Sequence, residues 1–331
     1  MRWRSTLSFM AAAAIPLAVT AQRQHEQDVD FRSYSPAFYS MGAASMGEQK
    51  LMIFPADREV IDIPLPFPLA GYSPTIPSNS KALFTKRLPI YSSPTDQRAG
   101  AGLYKIDFNP TRASVLPGVQ ELKTYGVGIF VVSFREDKIV FSGEHMDGSS
   151  LRCGIFEMEL PDGAVKPVIQ EPECAHRWVT DWVSLSLSPN GDQVVVVHRG
   201  RLERIDLASA GIAVLGDGFL KASWSPDGSW IAAVKNGGKY ETVLIDPSNP
   251  SRIRTLGSAE PSWSPDSRYL LRINPRGCGS ELGTLEALNI DTKKTTTIKS
   301  SRCEIYTPAV GWVSNSIIPQ ASVRRPAGPG T

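Results

Sequence analysis

Three stretches of this chain repeat one turn between the same kinds of strand: SLSPNGDQVVVV (186–197), SWSPDGSWIAAV (223–234) and SWSPDSRYLLRI (262–273). Their prolines, Pro189, Pro226 and Pro265, fall at intervals of 37 and 39 residues. Proline presets the first turn dihedral, Asn190, Asp227 or Asp266 tolerates the next position, and Gly191 or Gly228 accepts a positive φ. Each turn therefore joins a short strand to an apolar strand, which is a hairpin with a loop of a few residues. A chain that repeats one hairpin at a fixed interval must stack or circle a single supersecondary unit.

A second unit follows each hairpin: a strand ending in an apolar–acidic pair, a polar turn, then another short strand. It reads VLIDPSNPSRIRTLG at 243–257 and LYKIDFNPTRASVLPG at 103–118. Further copies are RIDLASAGIAVLG (204–216), FEMELPDGAVKPVI (156–169) and LNIDTKKTTTIK (288–299). Four short strands in about 40 residues is the period of a propeller blade. A β-sandwich also has recurring strands, but its turn motifs do not return in a fixed order. The expected fold class is all-β, a propeller of four-stranded antiparallel blades.

The pattern Trp-Ser-Pro-Asp-Gly-x-x-Ile/Leu-Ala/Val at Trp224–Ala232 and Trp263–Leu271 resembles the repeat of the TolB-like propellers. Degenerate copies lie at Gly71–Pro74, Ser133–Phe141 and Gly311–Ile318, giving six blade starts near 72, 134, 188, 225, 264 and 312. The resemblance spans roughly residues 45–320 and implies six blades, while saying little about a ligand. TolB carries a separate α/β domain ahead of its propeller, and nothing residing in that domain transfers to this chain.

Closure of the ring follows from what the ends lack. After AVGWVSNSIIPQ (309–320) the sequence ASVRRPAGPGT is too polar and too rich in Pro and Gly for two more strands. KLMIFPADREVIDIP (50–64) reads as a strand pair without its first half. The last blade is thus expected to take two strands from residues 309–320 and two from 50–64, which ties the ends together and removes open edges. The expected organisation is a signal peptide at 1–21, a linker at 22–44, the propeller at 45–320 and a tail at 321–331.

The segment MRWRSTLSFMAAAAIPLAVTA has Arg2 and Arg4 ahead of an apolar run and small residues at Val19-Thr20-Ala21. That is the pattern of a secretory signal, and it is short for a membrane span. No later segment reaches about 18 apolar residues, so no membrane span is expected in the mature chain. The full chain has 35 Lys and Arg against 33 Asp and Glu, and loss of Arg2 and Arg4 makes these equal. A neutral chain offers no clustered basic surface, which excludes nucleic acid as the expected partner. The expected location is the periplasm or the extracellular space. In an exported chain the four cysteines read as disulfides, with three possible connectivities, and no Cys-x-x-Cys pair marks a zinc or redox site. The blade scheme puts Cys153 between the second and third strands of blade two and Cys174 after its fourth. Cys278 and Cys303 hold the matching places in blade five, so Cys153–Cys174 and Cys278–Cys303 are the expected bonds.

Catalytic motifs are scarce. Gly42-Ala43-Ala44-Ser45-Met46-Gly47 has one residue too many for a nucleophile elbow and no helix pattern after it. Asp147-Gly148-Ser149-Ser150 lacks the spacing of a calcium loop. Asp227 and Asp266 belong to turn chemistry, and Trp224, Trp263 and Trp312 read as packing between blades. His145, His176 and His198 fall on the disulfide-bearing face of neighbouring blades, with Trp178 and Trp182 beside them as stacking platforms. The expectation is a non-catalytic, monomeric binding module without a cofactor, engaging a protein segment or glycan at its loop-rich face through these five residues. The alternative is a metal-dependent enzyme, such as a polysaccharide lyase, with one divalent transition metal on His145, His176 and His198.

Overall fold

The computed structural model describes residues 33–40, 50–55, 59–65, 75–77, 82–87, 102–108, 111–116, 125–147, 150–160, 164–171, 182–237, 241–274, 283–301 and 309–318. The first three strands are β1 (Tyr34–Ser40), β2 (Lys50–Ile53) and β3 (Ile61–Pro64). Blade one holds β4 (Ala82–Arg87), β5 (Gly102–Phe108) and β6 (Thr111–Val115), and Thr75 bridges Phe84 on its inner side. Blade two is β7 (Tyr125–Val132), β8 (Lys138–Asp147), β9 (Ser150–Glu159) and β10 (Val165–Glu171). Blade three is β11 (Trp182–Leu187), β12 (Gln193–His198), β13 (Arg201–Asp206) and β14 (Ile212–Asp217). Blade four is β15 (Phe219–Trp224), β16 (Ile231–Lys235), β17 (Glu241–Ile245) and β18 (Ile253–Gly257). Blade five is β19 (Tyr269–Asn274), β20 (Gly283–Asn289) and β21 (Thr295–Ser301), with Trp263 bridging Leu270 as its inner element. The final strand is β22 (Ala309–Ser314). These six small antiparallel sheets form the six-bladed propeller expected from the repeats.

The second strand of each repeat is an apolar run rather than an alternation because it is covered on both faces. In β12, Val194 to Val197 are all fully buried, and Ile231 to Ala233 of β16 likewise. Outer strands alternate instead, as in the exposed–intermediate pattern of β18. The apolar clusters lie between blades. Val140 and Ile155 of blade two pack with Val194, Val196 and Ile205 of blade three. Val195 and Leu202 of blade three pack with Phe219, Trp224 and Ile231 of blade four. At about 1.5–3 kcal/mol for each fully buried large side chain, these seams outweigh any single turn.

Closure by both ends is correct, but its composition differs from the expectation. The sheet order is β22-β1-β2-β3, so one strand comes from the C-terminal end and three from the N-terminal end. The second strand expected after β22 is replaced by a 3₁₀ turn at Asn315–Ile317, which lets Ile318 sink into the core at 2% exposure. Its place is taken by β1, inside the stretch read as a linker over 22–44. Tyr34 pairs with Ser314 and Pro36 with Trp312 on one side, while Ala37 pairs with Ile53 on the other. Ser35 Oγ donates to Asn315 Oδ1 at 2.6 Å, and Asn315 N donates to Ser33 O at 2.9 Å. The expected signal segment 1–21 and tail 321–331 lie outside the described residues.

The shared turn is built from one serine in four copies. Ser188, Ser225 and Ser264 each accept the amide of the residue five positions on, at 3.0 Å. Ser133 does the same for Lys138 at 3.2 Å. Each serine also donates to a side chain within its turn, Ser225 Oγ to Asp227 Oδ1 at 2.6 Å for example. The left-handed position is filled by Gly191 and Gly228 at φ 77° and 76°, but by Glu136 and Ser267 in the other two copies, at φ 58° and 62°. Both exceptions reach the preceding blade. Glu136 Oε2 accepts from Lys105 Nζ at 2.6 Å, and Ser267 Oγ accepts from Asp227 N at 2.9 Å.

Candidate binding site

The inner elements of the six blades surround a cavity of about 210 Å³ at the end of the ring where the serine turns gather. Its wall takes Ile76 and Pro77 from blade one, Val132 and Phe134 from blade two, and Leu187 and Pro189 from blade three. Trp224 and Pro226, then Trp263 and Pro265, then Gly311 and Trp312 complete the circle. Every described residue in this wall is uncharged. The prolines that mark the repeat thus do two things: they set the turn and they form the rim.

Serine hydroxyls at the wall are already engaged: those of Ser188 and Ser225 hold their own turns, and those of Ser184 and Ser186 reach the next blade. Ser184 Oγ, one position behind it, donates to Ala222 O at 3.0 Å and accepts Ala222 N–H at 3.1 Å. Ser186 Oγ accepts Trp224 N–H at 3.0 Å. The tryptophans pack between blades as expected, and two are anchored: Trp263 Nε1 donates to Ser223 O at 3.1 Å and Trp312 Nε1 to Ser262 O at 3.5 Å. Trp224 occupies the equivalent place in blade four, 8% exposed, yet its Nε1 is buried without an acceptor among the described residues. Phe134 at the rim is the opposite case, 49% exposed for a large apolar ring.

Asp227 beside the rim behaves as a turn residue. Burial raises its carboxyl, but hydrogen bonds from Ser225, from Ser229 N and Oγ and from the Ser267 side chain outweigh this and hold it below the ordinary 3.8. Asp206 and Asp246 repeat the device in the outer turns. The Ser209 amide lowers Asp206 and the Ser248 amide lowers Asp246. Asp206 and Asp246 are held by donors of their own loops, and Asp227 by its own loop and by Ser267 of the next blade.

Sequence reasoning missed the cavity because six blades each give it only a few residues, and no local motif records their convergence. The repeated Ser-Pro pair was the available signal. The five residues expected to bind lie elsewhere or beyond description. His145 is on β8, in register with Tyr125 and Arg152. His198 closes β12, in register with Trp182 on β11 and Arg201 on β13. Trp182 and His198 are therefore neighbours on adjacent strands. His145 and His198 both sit toward the ends of second strands, the ends remote from the serine turns. His176 and Trp178 lie outside the described residues. Among the described residues no group of three His, Cys, Asp or Glu side chains is arranged to hold a metal.

The cysteine scheme is partly visible. Cys153 lies within β9, opposite Glu144 and Glu171, rather than in the connection before it. Cys174, Cys278 and Cys303 lie outside the described residues. No helix among the described residues is long and apolar enough to cross a membrane.

The sequence matches no protein-family profile and no curated protein. The fold does match solved structures. TolB from Acinetobacter baumannii aligns over 86% of this chain and 67% of its own, at 17% identity and a TM-score of 0.60. A protein described as TolB from Agrobacterium tumefaciens aligns over 81% and 89%, at 11% identity and a TM-score of 0.51. An oligogalacturonate lyase from Vibrio parahaemolyticus aligns over 80% and 73%, at 14% identity and a TM-score of 0.49.

Proposed function

We propose that this TolB-like β-propeller is an exported, non-catalytic binding module that takes an uncharged segment of a protein or glycan at its central cavity. The observation that carries the reading is the cavity wall, uncharged in every described residue, with Ser186 bonded to the next blade and Ser188 and Ser225 bonded within their own turns. Acid–base or nucleophilic chemistry needs a titratable group or an activated hydroxyl within reach of the reacting atom. Binding needs only apolar contact and a few oriented polar groups. Phe134 supplies an exposed aromatic rim. Export rests on the basic and apolar pattern of residues 1–21. It fits the proposed Cys153–Cys174 and Cys278–Cys303 bonds: the β9–β10 register places Cys153 opposite Glu171, three residues before Cys174.

The alternative, a metal-dependent lyase using His145, His176 and His198, is favoured by one observation, the matching strand-end positions of His145 and His198 in adjacent blades. The two readings separate in one set of experiments. The tagged full chain is used to capture partners from a native envelope extract, beside a Phe134→Asp variant that puts a charge on the cavity rim. Specific capture that falls at least about tenfold in the variant is expected. Equal capture by both proteins removes the cavity from the function. Unsaturated products released from polygalacturonate with a divalent metal, and lost in a His145→Ala, His198→Ala double variant, would replace binding by catalysis.

A further inference from the structure

Six outer strands ring the propeller, and none has a further strand paired to its outer edge among the described residues. Proteins blunt such edges with charge, proline or bulges. Five of the six follow this rule within the strand: Asp62 and Pro64 in β3, Arg112 in β6, Lys166 and Pro167 in β10, Arg254 in β18, Lys299 in β21. The exception is the first part of β14, Ile212-Ala213-Val214, which has none of these; the register shift and the one charge of the strand, Asp217, come only after it. Ile212 and Val214 are 52% and 54% exposed, two residues apart on one face of the strand. They continue outward the seam between blades two and three, since Ile212 pairs with Ile205 of that cluster.

The ladder shows which backbone groups are open. Asp206 N donates to Gly211 O at 3.0 Å, so Gly211, and by antiparallel alternation Ala213, bond inward to β13. Ile212 and Val214 then point their N–H and C=O groups outward. The register shift at Leu202/Glu203 ends this flat stretch after Val214.

We infer that the outer edge of blade three is a self-association surface, on which β14 pairs antiparallel with β14 of a second copy about a two-fold axis through Ala213. That centre sets Ile212 against Val214 of the partner twice over. It makes both open backbone pairs face one another and joins four exposed β-branched side chains into one cluster. Beyond them Leu215 falls opposite Gly211, and the register shift after Val214 and the turn at Ala210, with φ 56°, end the ladder there, so no charges oppose within it. The strand is its own complement in hydrogen-bond pattern, apolar face and charge, and the two blades become one continuous sheet. One strand pair is a small contact beside the roughly 1,200 Å² of a stable complex, so the association is weak and reversible. This departs from the monomer expected from the sequence and is independent of the cavity.

Sedimentation velocity of the full chain over about 1 to 500 µM tests it. The expected result is a monomer–dimer equilibrium in that range, weakened at least about tenfold by Val214→Lys and by Val214→Pro. The proline removes an outward N–H that β13 does not use, so an unchanged unfolding midpoint accompanies the loss. A wild-type chain that stays monomeric throughout overturns the inference, as does equal dimerisation of both variants. Capture of a foreign extended peptide at β14 by a monomeric chain overturns it too, by replacing the occupant.

Discussion

One hydroxyl organises each serine turn, and its environment sets what its loss costs. Ser225 is fully buried, with its own amide donating to Trp230 O and its Oγ accepting Trp230 N–H. The same Oγ donates to Asp227, and Ser229 and the Ser267 side chain add to the donors that keep that carboxylate ionised. Ser225→Ala leaves a part-buried amide and a carboxylate short of a donor. We expect it to lower the unfolding free energy by about 1–3 kcal/mol at neutral pH. The sign of the pH dependence follows from the direction of the Asp227 shift. A carboxyl held below its ordinary 3.8 in the folded chain adds stability above that value and loses it as pH falls through the folded pKa. Denaturant unfolding at neutral pH and again well below 3.8 should therefore show the gap between wild type and Ser225→Ala narrowing in acid. A gap that is constant or widens would mean that Ser225 does not act through Asp227.

At the scale of strands, legibility depended on whether the signal was local. Turns with Pro, Asn or Asp and a following Gly announce themselves, and all three sharp copies are hairpins at the expected places. Ser133–Phe141 was readable although Glu136 stands where glycine is usual, because the serine five positions before Lys138 survives. The strand β1 was not readable. YSPAFYS carries a proline in mid-strand and no turn of the repeat, and it becomes a strand only by lying between β22 and β2. Pro36 pairs with Trp312, where a missing N–H is tolerated near a register shift between Ala37 and Phe38. The same limit hid the cavity. Each blade gives it two to five residues whose meaning exists only once six blades meet, whereas Trp182 and His198 were each singled out from their own segment. Their adjacency is a fact of β11–β12 register that no single segment contains.

A ring holds only if its last seam is as strong as the others, and here that seam joins residues from both ends of the chain. Ala37, Leu51 and Ile53 pack with Val313 and Ile318 in blade six, and against Ile76, Leu83 and Phe108 of blade one. Gly311 permits the close approach: a Cβ there would stand 2.9 Å from the Ile76 Cβ, at a φ of 151° that side chains rarely adopt. Removing residues 309–331 takes away β22, the Trp312 bond to Ser262 O, and the buried side chains of Trp312, Val313 and Ile318, which are 3%, 0% and 2% exposed. Three large apolar side chains at about 1.5–3 kcal/mol each amount to a large share of a typical stability of about 5–15 kcal/mol. The chain ending at residue 308 is therefore expected to lose its cooperative thermal transition. The chain ending at Ile318, which keeps every described contact of the seam, is expected to melt with the full-length protein. Equal midpoints for all three chains would show that β22 is dispensable. A fall already present in the chain ending at Ile318 would move the closing contact into residues 319–331. Closure by one strand from one end and three from the other requires the loss to begin between residues 308 and 318, where β22 completes the sheet.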